Sequence, residues 1–139
     1  MGPAPLGFVY FVGIKLAGYS AAAIVAKKYY SDTKQTAFAI GAARTAIGIG
    51  AGVAYGLLWW LVADKIFHAV NPSPVLYLAG LMPVRIGEWL WLVHLFYDKR
   101  LSDAQKVFRF AAAGTAWSYC LDAIGIGAAL VIPGGIWVC

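Results

Sequence analysis

Long apolar stretches alternate with short polar ones along the chain. A transmembrane α-helix needs about 20 consecutive apolar residues to cross roughly 30 Å of hydrocarbon. Stretches of this length occur at about residues 5–26, 45–67, 74–97 and 108–132. None alternates with period two, as a strand of a membrane barrel would. The pattern therefore predicts an all-α integral membrane protein, a single domain in which four transmembrane helices form one bundle.

The interruptions between these stretches predict where the helices end. Polar loops occupy residues 27–34 (KKYYSDTK) and 98–106 (DKRLSDAQK), and the NPSP sequence at 71–74 separates the second helix from the third. Apolar character returns near Thr36, so the second helix is expected to begin outside the membrane or to tilt steeply. We expect a kink at Pro83 in the third helix, because proline removes a backbone hydrogen bond.

Composition agrees with a membrane environment. Of the 139 residues, 62% are hydrophobic and only 12% are charged, and the mean hydropathy is +0.74. Soluble domains carry about 25% charged residues, and disordered chains are poor in apolar residues. Both of those classes are excluded. Two cysteines are too few for a disulfide framework.

Basic residues predict the orientation of the chain in the membrane. Cytoplasmic loops are rich in lysine and arginine, and Lys65 is essentially alone on the side opposite the first and third loops. We therefore expect a plasma or inner membrane protein with both termini on the non-cytoplasmic side. These loops account for the net charge of +5, so no nucleic-acid partner is expected. The basic residues around the first and third loops are Lys27, Lys28, Lys34, Lys99, Arg100, Lys106 and Arg109.

A few charged residues fall in the middle of the apolar stretches. Lys15, Arg85 and Asp122 each lie about ten residues from the end of a stretch, which places them roughly 15 Å deep. Glu88 follows Arg85 by one helical turn on the same face. Each charge costs roughly 2.5–3.5 kcal/mol at a helix centre. We expect these two cations and two anions to face inward and to neutralise one another.

Two further ionisable residues are candidates for the same site. Arg44 lies near the cytoplasmic boundary, where its side chain could extend to the interface. Alternatively it points along the same seam as Gly48, Gly52 and Gly56, which follow it at intervals of four. His94 lies two turns from Glu88, and a water molecule or Tyr97 could link the two as a proton path; such a histidine is also commonly an interhelical hydrogen-bonding residue. The candidate residues for binding a substrate or ion are Lys15, Arg44, Arg85, Glu88, His94 and Asp122.

Small residues recur every four positions in two of the stretches. Gly48, Gly52 and Gly56 follow Arg44 at this spacing, which lets two helix backbones approach closely. They indicate either packing within the bundle or a homo-oligomer contact. On the fourth stretch, Gly114 and Ser118 share this spacing with Asp122, so that face is expected to carry Asp122 inward.

Motifs for soluble catalysis or metal binding are missing from the sequence. Asp64 and His68 have the i, i+4 spacing of paired metal ligands, but two ligands without a third are weak evidence. The sequence has no phosphate-binding glycine loop and no zinc-protease pattern. No catalytic residue, cofactor or metal is therefore predicted.

Three functions remain open. The first is binding or transport of a proton, an ion or a small polar or anionic solute at the midplane charges. Helices packed 8–10 Å apart leave no aqueous pore, so a transporter would need a homo-oligomer or a partner subunit. The second is a membrane enzyme that acts on a lipid or isoprenoid-linked substrate with the carboxylates as acid and base, although the charges lie deep for this. The third is a non-catalytic subunit or assembly factor with a structural salt-bridge network.

Overall fold

The computed structural model is built from four α-helices. It describes residues 5–30, 33–62, 65 and 74–129. The helices are α1 (Pro5–Tyr29), α2 (Ala37–Val62), α3 (Pro74–Phe96) and α4 (Ala104–Ala129).

The helix boundaries follow the predicted stretches, with the largest difference at the start of α2. This helix begins at Ala37, eight residues before the predicted span, and the Thr36 hydroxyl accepts a hydrogen bond from the Ala39 amide. Thr36 therefore caps the helix at the position where apolar character returns. In α3 the helix continues through Pro83 without a break, and the kink expected there stays a prediction.

Three of the helices are long and apolar enough to cross a membrane. These segments comprise residues 7–29, 37–62 and 75–96. Among the described residues, α4 is not apolar enough to qualify, and its predicted span of 108–132 ends outside them. The structure therefore shows a helical protein with membrane-like character, and the fourth span stays a prediction.

Each helix packs against two neighbours, in the order α1, α2, α3, α4 and back to α1. Large apolar side chains cover the outside of this bundle; Val9, Trp60 and Val75, for example, are 66%, 64% and 73% exposed. An apolar exterior of this extent fits contact with lipid rather than water. The main core cluster is formed by Tyr19, Ala23, Ile40, Trp89, Leu92, Ala111 and Leu121.

Glycine allows close helix contacts at positions other than the predicted seam. A Cβ atom at Gly41 would lie 2.7 Å from the backbone nitrogen of Ser20, so α1 and α2 meet there. At Gly48 the nearby group is the side chain of Arg44, and at Gly56 no described neighbouring atom lies within 4 Å of the Cβ position. A homo-oligomer contact through Gly48, Gly52 and Gly56 therefore stays a prediction.

Candidate functional site

Five charged side chains are buried in the described part of the bundle. Their exposed fractions are 3% for Lys15, 0% for Arg44, 1% for Arg85, 6% for Glu88 and 3% for Asp122. Every helix contributes at least one of them, and α3 contributes two. We call these five residues the charge cluster. The sequence prediction that the midplane charges face inward is confirmed.

Asp122 on α4 pairs with cations from two other helices. The Nζ atom of Lys15 on α1 lies 2.7 Å from Oδ1 of Asp122. On the other side, Nη2 of Arg85 on α3 donates a hydrogen bond to Oδ2. The prediction that the small-residue face of α4 carries Asp122 inward is confirmed, since Gly114 and Ser118 are buried with it. One carboxylate thus joins three helices.

Arg44 on α2 and Glu88 on α3 form the second part of the cluster. Nη2 of Arg44 lies 2.5 Å from Oε2 of Glu88. The guanidinium carbon lies 4.8 Å from the ring centre of Tyr19 and 4.9 Å from that of Trp89, so two aromatic rings cover the cation. The interpretation that Arg44 extends to the membrane interface is wrong: its long side chain reaches inward, to a carboxylate and two rings.

The hydroxyl of Ser118 connects all four helices. Its oxygen lies within hydrogen-bonding distance of three donors, the hydroxyl of Tyr19 at 3.2 Å, Nε1 of Trp89 at 3.0 Å and Nη2 of Arg44 at 3.4 Å. Because a hydroxyl oxygen has two lone pairs, these three donors share two acceptor sites. The Ser118 hydroxyl itself donates to the carbonyl oxygen of Gly114 at 3.0 Å. Sequence reasoning identified Ser118 only as a small residue, because its three donors lie on three other helices. The i, i+4 spacing from Ser118 to Asp122 was the available signal.

The charge cluster contains more cations than carboxylates. It holds three cations and two carboxylates, so the prediction of a neutral set of two and two is wrong for these described residues. The difference is Arg44, whose position in the sequence lies near the predicted cytoplasmic boundary and outside the midplane set. Within the same set, Nε and Nη1 of Arg44 are buried and have no hydrogen-bond acceptor among the described residues. Oε2 of Glu88 and Oδ1 of Asp122 are buried in the same way, and these two acceptors contact Arg44 and Lys15 as ion pairs without hydrogen-bond geometry.

The remaining candidates lie elsewhere. The side chain of His94 is exposed on α3, whereas Glu88 is buried, and the structure does not bring them together. Asp64 and His68 fall outside the described residues. Within the described ranges, no group of three or more histidine, cysteine, aspartate or glutamate side chains is arranged to hold a metal ion.

A shallow apolar groove runs beside the cluster, between α1 and α4. Its volume is about 290 Å³. Trp89 forms part of its wall and also contacts Ser118 through its indole nitrogen. Trp117 lines the groove and donates a hydrogen bond to the carbonyl of Gly18 on α1. One indole therefore separates the buried polar groups from an apolar recess on the outside of the bundle.

Comparisons with known proteins provide no relative for this arrangement. No protein family, curated protein or solved structure matches the chain. Any functional assignment must therefore come from the residues of the charge cluster.

Proposed function

We propose that this chain is a transmembrane protein that binds or transports a proton, an ion or a small polar or anionic solute at the charge cluster. The observation that carries the proposal is the burial of five charges by four helices whose outer surfaces are apolar. Ionisable residues inside membrane helices are costly and commonly mark ion or substrate pathways.

Stability alone is a weak explanation for such a cluster. Replacement of a buried ion pair by apolar residues of similar volume is often neutral or stabilising. Five charges that meet around Asp122 and Glu88 are therefore an inefficient way to hold four helices together.

The membrane topology proposed here has four spans. Polar residues of α4 such as Thr115, Ser118 and Asp122 are buried, whereas Phe108 and Ile124 on its outer surface are 58% and 52% exposed. Its low overall apolarity thus arises partly from its inward face, and its outer face suits lipid. Because Lys106 Nζ donates a hydrogen bond to the carbonyl of Tyr29, the basic α1–α2 and α3–α4 connections meet at one end.

This arrangement supports the proposed orientation. Both basic connections lie on the cytoplasmic side of a plasma or inner membrane, and both termini lie opposite them. Side chains fill the centre of the described bundle, so transport requires a homo-oligomer or a partner membrane subunit. The face of α2 that includes Gly56 is the proposed contact, because the missing side chain leaves space there.

The test is flux through purified protein reconstituted in liposomes, with protons, small inorganic ions and small organic anions as candidate solutes. We expect Glu88→Gln and Asp122→Asn to abolish the flux while both variants insert and elute as single species in size-exclusion chromatography. His94→Gln is the matched control, since this ionisable side chain on α3 is exposed.

Two outcomes would contradict the proposal. One is wild-type flux in the paired variant Arg44→Gln/Glu88→Gln, which would make this ion pair purely structural. The other is a failure of both carboxylate variants to fold. Either outcome would favour the non-catalytic subunit, in which the charges only order the helices.

A second candidate is an enzyme that acts on a lipid or isoprenoid-linked substrate. The apolar groove favours it, because a hydrocarbon chain there would lie against Trp89, close to Ser118 and Glu88. Turnover of labelled lipid or polyprenyl phosphate by the purified protein would support this function. That turnover must be lost in Glu88→Gln and retained in His94→Gln.

A further inference from the structure

The apolar groove between α1 and α4 has a deeper end and an end near the α3–α4 connection. Ala21 and Val25 on α1 line it, as do Ala113 and Trp117 on α4. The indole nitrogen of Trp117 donates a hydrogen bond to the carbonyl of Gly18 at 3.0 Å, so this side chain bridges the two helices at the deeper end. The groove runs from this bridge toward the end of the bundle where α1 finishes and α4 begins.

Two basic residues continue the walls of the groove beyond that second end. Lys28 follows Val25 by three residues on α1, and Arg109 precedes Ala113 by four residues on α4. Residues three or four positions apart lie on the same face of a helix, so both cations lie on the groove side of their helices. Both side chains are exposed. The groove therefore leads from an apolar recess to a pair of accessible cations.

The described carboxylates near this end are held by local hydrogen bonds. Asp98 accepts a hydrogen bond from the backbone amide of Ser102, and Asp103 accepts one from the backbone amide of Lys106. Asp103 precedes Arg109 by six residues, so the two do not share a helical face. These carboxylates belong to the α3–α4 connection and the start of α4, whereas the groove faces end in cations.

The length of the groove fits a lipid chain better than a helix. From Trp117 to Arg109 the backbone of α4 rises about 12 Å, at 1.5 Å per residue. One leaflet provides about 15 Å of the roughly 30 Å of hydrocarbon in a bilayer. A transmembrane helix from a second copy of the chain would need a contact along the full thickness. An acyl chain needs only the half that adjoins its own headgroup.

We propose that an anionic glycerophospholipid of the cytoplasmic leaflet binds along this groove, with one acyl chain against Trp117 and its phosphate at Lys28 and Arg109. Basic residues near the membrane surface attract anionic headgroups, and phosphate oxygens accept charge-assisted hydrogen bonds. A zwitterionic headgroup carries its own cation beside the phosphate and gains less from two basic side chains. The inference rests on the proposed four-span topology and orientation, and it is independent of transport at the charge cluster.

The experiment measures quenching of tryptophan fluorescence by lipids with brominated acyl chains. The purified protein is reconstituted in phosphatidylcholine vesicles that contain an increasing fraction of brominated phosphatidylglycerol or brominated phosphatidylcholine. Trp117 is 40% exposed, so a chain in the groove contacts its indole. Subtraction of the quenching measured in Trp117→Phe isolates this signal. We expect half-maximal quenching at a roughly tenfold lower fraction of phosphatidylglycerol than of phosphatidylcholine, because two basic residues attract the anionic headgroup.

Paired variants at basic residues test recognition of the headgroup. Lys28→Gln/Arg109→Gln should lose the preference, so that both lipids quench at the same fraction. Lys99→Gln/Arg100→Gln removes the same charge from exposed positions in the α3–α4 connection, and the preference should remain. Because the two variants have the same net charge, the general attraction of anionic lipid to the protein is matched between them.

Leucine variants at two neighbouring alanines test the groove itself. Ala113 lines the groove, whereas Ala112 is exposed on α4 and is not part of the lining. The larger side chain in Ala113→Leu occupies the groove, so we expect a several-fold higher fraction of phosphatidylglycerol to be needed for half-maximal quenching. Ala112→Leu should match the wild type. Should Ala113→Leu not elute as a single species in size-exclusion chromatography, Ala21→Leu on the opposite wall replaces it.

Four outcomes decide the inference. Equal half-maximal fractions for the two lipids in the wild type would refute it, and a preference that persists in Lys28→Gln/Arg109→Gln would place the phosphate elsewhere. No Trp117-dependent quenching by either lipid would mean that protein, such as a second copy of the chain, covers the groove. If the two lipids quench equally while flux requires Glu88 and Asp122, only this inference fails. If phosphatidylglycerol is preferred and no flux requires those carboxylates, the transport proposal fails and the lipid site stands.

Discussion

The ion pair between Arg44 and Glu88 allows the clearest test of the packing described above. The Nη2 and Oε2 atoms are 2.5 Å apart, and the two side chains are 0% and 6% exposed. Removal of one partner leaves the other charge buried without its counterion, which costs about 3–5 kcal/mol in buried pairs. Removal of both charges avoids this penalty.

We therefore predict strong coupling in a double-mutant cycle. Arg44→Gln should lower the free energy of unfolding by about 3–5 kcal/mol, because Glu88 then lacks its cation. Glu88→Gln should cost at least as much, about 3–5 kcal/mol, because Arg44 then keeps a buried charge without its carboxylate in a cluster that already holds more cations than anions. The double variant should be more stable than the sum of the single changes predicts, by about 1–3 kcal/mol.

The assay is reversible unfolding of the purified protein in mixed micelles, followed by tryptophan fluorescence. Trp89, one of six tryptophans that contribute to this signal, contacts the guanidinium group of Arg44. A matched cycle with Lys99→Gln and Asp103→Asn, both exposed, controls for changes in net charge, because it also removes one cation and one anion. Additive effects of Arg44→Gln and Glu88→Gln would refute the reasoning, because residues in contact with a buried, charged partner cannot act independently.

Two further predictions concern helix contact and pH. Gly41→Ala should destabilise the protein by about 1–3 kcal/mol, because the new Cβ would lie 2.7 Å from the backbone nitrogen of Ser20; Gly50→Ala, in open space, should be neutral or slightly stabilising in the same unfolding assay. In the α3–α4 loop, hydrogen bonds from the side chain and backbone of Ser102 lower the pKa of Asp98 below 3.8. Stability from this exposed turn is thus present above about pH 4 and lost as the pH falls through the lowered pKa, and Asp98→Asn should remove that dependence in a pH series of melting temperatures.

Helix positions and the inward direction of the charges could be predicted from the sequence because each depends on one segment at a time. An apolar stretch must form its own backbone hydrogen bonds in lipid, and a charge such as Asp122 must avoid the hydrocarbon. The structure bears out both expectations. The sequence was less informative about α2. Polar residues precede Ala37 and apolar residues follow it, but this pattern did not show how far the helix extends beyond the membrane.

The pairing of the charges could not be predicted, because it depends on how each helix rotates about its axis relative to the others. Arg85 and Glu88 share a helical face, yet each pairs with a different helix: Arg85 with Asp122 and Glu88 with Arg44. The direction of the Arg44 side chain was left open for a related reason. Its side chain is long enough to enter the bundle from a position that appears peripheral when only distance along α2 is considered.

The buried polar residues of this protein serve both its stability and its proposed function. In lipid, the hydrophobic effect does not drive helices together. Packing and polar contacts between the helices therefore supply more of the stability of the bundle. Ser118 and Asp122 supply those contacts, and they also lie in the proposed binding site. Activity loss in a single-charge variant is therefore ambiguous by itself. The neutral double variant at Arg44 and Glu88 removes the ambiguity, because it deletes the charges while it avoids the penalty of an unpaired one.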